Sequence, residues 1–163
     1  MQTAMGSDQQ VWANYLGRII FSMNEIDWLL GLIRADVFKE ELSVNWLKKT
    51  FSDRLILIAE MIKQAPGSPA MDELKRLLKR TEPLNDARNH VAHGMLVLVG
   101  APEGAPRGAS FRMTRHHKKK MHEITFDMLV ERTKEAMKLT ADYSQFCAMC
   151  KLHAEFIAPY PTN

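Results

Sequence analysis

The chain has 163 residues, 46% hydrophobic and 25% charged, the proportions of an ordinary single-domain globular protein; with only 8 Gly and 7 Pro it is neither collagen-like nor wholly disordered. No apolar run approaches the roughly 18 residues needed to cross a bilayer, and the apolar residues after the first basic one, Arg18, are broken by Asn24, Glu25 and Asp27, unlike a signal peptide. The expectation is a cytoplasmic protein without a membrane partner. The net charge of +3 is unevenly distributed, because residues 107–122 carry 6 basic side chains and no acid while the rest of the chain is −3.

Apolar residues at 12, 15, 16, 19, 23, 26, 30 and 33 repeat at three- and four-residue spacing and predict a helix over about 8–36, with Ser7 and Asp8 as caps. A second helix is predicted over 43–65 from the stripe Leu47, Phe51, Leu55, Ile58 and Ile62, ended by Pro66-Gly67. A third starts at Ser68-Pro69, uses Leu74, Leu77 and Leu78, is kinked or split by Pro83, and resumes with Leu84, Ala87 and Val91 up to Gly94. Residues 95–124 lose the helical period; the Gly- and Pro-rich stretch 100–108 and the branched residues beside it predict a β-hairpin or an irregular insertion. Thr125 caps a last helix through Leu129, Ala136, Met137, Tyr143, Phe146, Cys147 and Cys150 to a stop before Pro159. The fold class read from this order is all-α: an antiparallel four- to five-helix bundle as a single domain over 8–157, with 1–7 and 158–163 as flexible termini.

The stretch that carries chemistry is Arg88-Asn89-His90-Val91-Ala92-His93. On an ideal helix with Leu84 at 0°, the apolar face of Leu84, Ala87 and Val91 centres at about 330°, Arg88 lies at about 40°, Asn89 at about 140° and His93 at about 180°. Read alone, these are polar side chains at an exposed helix end. Read together, they join a permanent cation that grips phosphate, a side chain that exchanges protons near neutral pH, and an orienting amide. Such a set suits metal-free RNA cleavage, with His93 as general base on a ribose 2′-hydroxyl and Arg88 stabilising the charged phosphate.

The motif, near the end of a third helix that follows two long ones and precedes a closing one, resembles the Arg-x4-6-His signature of HEPN domains, in which a polar residue follows the arginine. The resemblance implies that Arg88, Asn89 and His93 are catalytic residues of a metal-independent endoribonuclease. It implies a homodimer in which two copies of the motif meet in one cleft, and a place in a toxin–antitoxin or phage-defence system with RNA as substrate and an antitoxin protein as partner. No cofactor is implied. The family also contains non-catalytic modules, so binding of RNA, a nucleotide or a protein is the alternative. After His93 the chain reads Gly94-Met95, unlike the subgroup whose His-x-Tyr is adenylylated by a nucleotidyltransferase antitoxin.

Two further features stand out. Arg107, Arg112, Arg115, Lys118, Lys119 and Lys120, interleaved with His116, His117 and His122, form either a solvated loop or a flexible basic arm; in a ribonuclease Arg112, Arg115, Lys118, Lys119 and Lys120 become the RNA-binding set, holding backbone phosphates without reading sequence. Cys147-x-x-Cys150 with His153 has metal-like spacing but no second pair, so the thiols are assigned to core packing and no metal site is expected.

Overall fold

The computed structural model describes residues 2–93, 95–99, 110–117 and 120–161, with side chains described over 10–93 and 124–161. Helices dominate: α1 (Gln2–Asp36), α2 (Val44–Leu47), α3 (Phe51–Gln64), α4 (Pro69–His93), α5 (Phe126–Leu152) and α6 (Ala154–Ile157). Between α4 and α5 lie β1 (Met95–Val99), β2 (Ser110–His117) and β3 (Lys120–Ile124), paired antiparallel in the order β1-β2-β3. No helix among the described residues is long and apolar enough to cross a membrane.

The 3.6-residue stripes bury as their spacing requires. Ile19, Met23, Ile26, Leu30 and Ile33 of α1 meet Ile58 of α3, Leu74, Leu77 and Leu84 of α4, and Leu129, Ala136 and Tyr143 of α5 in one continuous core. Polar groups inside it are satisfied locally or across helices. Thr81 Oγ1 donates to Leu77 O at 2.9 Å and lies 3.0 Å from the Tyr143 hydroxyl, linking α4 to α5. Thr133 and Thr140 Oγ1, seven residues apart, reach Tyr15 O and Ser22 O, also seven apart.

That constant offset means α1 and α5 run parallel, which corrects the antiparallel arrangement read from the sequence. Against them α4 runs antiparallel to α5, since Arg80 bridges Glu135 and Asp142 near the middle while Pro69 and Asp72 lie beside Phe146 and Met149 at one end. The connection 37–50 permits this order. It turns at Lys39, whose φ of 58° is the left-handed conformation, and is anchored by buried Trp46 between the guanidinium groups of Arg34 and Arg54, 5.0 and 5.4 Å from its ring.

Other boundaries differ from the periodicity. The helix predicted over 43–65 is broken at Lys48–Thr50, because Thr50 and Asp53 form a reciprocal capping box that starts α3 afresh, while Arg54 donates to the Trp46 and Leu47 carbonyls that end α2. Leu47 and Met137, placed by spacing on apolar stripes, are exposed. Pro83 does not split α4; the carbonyl it orphans belongs to Lys79, an exposed residue. Helix α1 begins at Gln2, ahead of the start near 8. At the other end Tyr160, in the stretch read as a loose terminus, is tied back through its amide to Gly67 O at 2.8 Å and its hydroxyl to Asp72 at 2.8 Å.

Candidate functional site

The Arg88–His93 motif forms the last turns of α4, where the helix leaves the core: Leu84 and Ala87 are buried, Arg88, Asn89 and His90 are half-buried, and His93 is exposed. Arg88 Nη1 approaches Asn89 Oδ1 at 3.5 Å, the only hydrogen bond of the Arg88 side chain among the described residues. One turn earlier Asn85 Nδ2 donates to Ser52 Oγ at 2.8 Å, which sets the first turn of α3 beside the motif, and Asn85 Oδ1 is buried without a described partner. Among the described residues the His93 side chain takes part in no hydrogen bond or ion pair, and none joins it to Arg88.

The arginines separate by their partners. Arg34 pairs with Glu40, Arg54 with Asp27, Arg76 with Glu73, and Arg80 with both Glu135 and Asp142. Arg88 and Arg132 are half-buried, and among the described residues neither has a carboxylate partner. A guanidinium withheld from water and left without an acid keeps its donors available for an incoming anion.

On the adjoining flank of α4 a cavity of about 210 Å3 opens between α4 and the start of α5, with Asp86, His90 and Arg132 at its polar positions. His90 Nδ1 lies 2.8 Å from the Asp86 carbonyl, which only accepts, so the ring donates from Nδ1 and its orientation is set. Sequence reasoning overlooked all three. Asp86 and His90 are four apart on one helix face, a signal available in the sequence, whereas Arg132 arrives from α5 only through the tertiary fold.

Comparison with protein-family models, curated proteins and solved structures finds no match.

The basic segment is not simply a loop. Arg112 and Arg115 lie within β2 and Lys120 opens β3, while Arg107, Lys118 and Lys119 lie outside the described residues. The ladder pairs Arg115 with His122 and His117 with Lys120 across β2 and β3.

Cys147 and Cys150 are free, half-buried and packed against the core; burial pushes both thiols up to about 11, which keeps them protonated and unreactive near neutral pH. Among the described residues no three His, Cys, Asp or Glu side chains cluster closely enough to hold a metal ion.

Proposed function

We propose that this chain is a metal-independent endoribonuclease of the HEPN type, acting as a homodimer in the cytoplasm in a toxin–antitoxin or phage-defence system. The observation that carries the reading is the end of α4, where an exposed His93 follows a half-buried Arg88 that has no described carboxylate partner. His93 takes the proton from a ribose 2′-hydroxyl, the freed oxygen attacks the adjacent phosphorus, and Arg88, oriented by Asn89, stabilises the charge gathering on the phosphoryl oxygens. The bond from phosphorus to the 5′-oxygen breaks and that oxygen takes a proton from solvent, giving a 2′,3′-cyclic phosphate and a 5′-hydroxyl. Arg112, Arg115, Lys118, Lys119 and Lys120 hold the RNA backbone.

The test is cleavage of a mixed RNA substrate in EDTA. Wild-type protein is expected to cut RNA to 2′,3′-cyclic phosphate ends and to leave a 2′-deoxy substrate intact. His93→Ala lowers the rate by about 10²–10⁴, the usual worth of general acid–base catalysis. Cutting that needs a divalent metal, or full activity in His93→Ala, rejects the mechanism. A second reading, a non-catalytic module that binds RNA, a nucleotide or a protein, is favoured by the divergence of Arg88 and His93 around the helix. It predicts binding without any product.

A further inference from the structure

The cavity beside the motif joins features that the cleavage mechanism does not use. Its apolar lining comes from both helices and the strand end: Pro83 and Ala87 of α4, Ile124 at the end of β3, and Met128 of α5. Its volume of about 210 Å3 suits one planar ring system rather than a folded peptide or an extended chain. Two opposite charges line it, Arg132 and Asp86, yet no ion pair joins them and neither side chain has another hydrogen-bonding partner among the described residues. That differs from Arg54 and Arg80, whose guanidinium groups are closed onto carboxylates. A cation and an anion held apart across an apolar slot complement a ligand that is flat, accepts hydrogen bonds along one edge and donates them along another.

We infer that this cavity is a base-reading pocket that takes guanine. The purine plane lies between Pro83 and Ala87 on one side and Ile124 and Met128 on the other. The paired N–H groups of Arg132 donate to O6 and N7, the bidentate match that makes arginine the usual reader of guanine. The Asp86 carboxylate accepts from N1–H and the N2 amine on the adjoining Watson–Crick edge. The His90 ring, oriented through its Nδ1–H to the Asp86 carbonyl, closes the end of the slot nearest His93. Adenine keeps the N7 acceptor but turns its N6 amine toward Arg132 in place of O6, and its N1 lone pair toward Asp86. Pyrimidines offer Arg132 one acceptor in place of two. Unpaired RNA is read in this way, with splayed bases stacked on side chains and recognised along their edges. The inference depends on the ribonuclease reading only for the claim that the guanine belongs to an RNA substrate, where it sets which nucleotide sits beside the bond to be cut.

The experiment titrates full-length protein with the four nucleoside 3′-monophosphates, which share a sugar and phosphate and differ only in base, following affinity by calorimetry and the Ile124 and Met128 methyl resonances by NMR. Guanosine 3′-monophosphate is expected to bind about tenfold or more tightly than the other three, the usual range for one bidentate base contact, and to shift both methyl signals. Arg132→Gln and the exposed Asp86→Asn should each remove most of that preference; a thermal melt of each variant checks that it folds, and Asp86→Asn keeps the test available if Arg132→Gln does not. Equal affinity for the four nucleotides, unmoved methyl signals, or a preference that survives in a folded variant overturns the pocket. RNA cleavage measured in parallel separates the two claims. Guanine binding by a protein that cuts no RNA leaves the pocket standing and removes the nuclease, whereas cleavage without guanine preference does the reverse.

Discussion

Charge neutralisation divides the arginines of this chain. Arg54 holds Asp27 at 2.6 Å, donates to the Trp46 and Leu47 carbonyls, and stacks on the Trp46 ring, so its side chain closes α2 and fixes α3 against α1. Removing it strands a partly buried carboxylate and two helix-end carbonyls. Arg54→Ala is therefore expected to lower unfolding stability by about 2–3 kcal/mol, in the range of hydrogen bonds to charged groups. The Arg88 side chain hydrogen-bonds only to Asn89 among the described residues, at 3.5 Å, and Arg88→Ala should stay within about 0.5 kcal/mol of wild type. Urea denaturation of the two variants measures both. A large loss in Arg88→Ala would make it a structural residue and remove it from the site.

At the scale of elements, the helices owe their ends to local chemistry that apolar spacing does not record. The positions of Leu47, Phe51 and Leu55 run unbroken through the junction of α2 and α3, so the sequence reads as one helix. The break comes from Thr50, whose hydroxyl donates to Asp53 Oδ2 at 2.7 Å and accepts from the Asp53 amide at 3.2 Å. Thr50→Ala should lower stability by about 1 kcal/mol, the typical worth of an N-cap, readable as a fall in Tm. The effect depends on pH with a definite sign. Hydrogen bonds from the Thr50 side chain, then from its backbone, hold the Asp53 carboxyl below its ordinary value. A carboxylate lowered by folding contributes its stability in full above the unfolded pKa, near 4, and loses it as pH falls through the lower folded value. The Tm gap between wild type and Thr50→Ala should therefore be widest at neutral pH and narrow below about pH 4; a gap independent of pH would show that Asp53 takes no part in the cap. The same contrast explains what was legible. The core stripes and the Thr125 cap could be read because they are local and periodic, whereas the parallel pairing of α1 with α5, the exposure of Met137, and the meeting of Arg132 with Asp86 and His90 arise only when distant segments pack. In the motif itself, the exposure of His93 and the flanking position of Arg88 followed from helix geometry alone.

For the whole molecule, the proposed mechanism requires that Arg88 and His93 reach the same phosphate. They are five residues apart, about 7.5 Å of rise and 140° of rotation on a regular helix, and among the described residues no hydrogen bond draws them together. A single α4 therefore presents His93 and Arg88, the proposed base and phosphate clamp, in different directions. A two-fold axis removes the difficulty, because the symmetry operation carries each motif onto the other and lets Arg88 of one protomer face the His93 side of its partner. A purely monomeric mass by light scattering at micromolar concentration would exclude that arrangement. The sharper experiment mixes two inactive chains, Arg88→Ala and His93→Ala, under conditions where subunits exchange. If each site takes its arginine from one protomer and its histidine from the other, a mixed dimer has one site with both residues missing and one with both intact, so cleavage should return to at most about half the wild-type rate per mixed dimer, and to about a quarter per total protein if subunits combine at random. If each site is complete within one chain, every site in every dimer lacks one residue and no activity returns. Recovery on mixing thus assigns the site to both protomers, and its absence between chains shown to have exchanged assigns it to one.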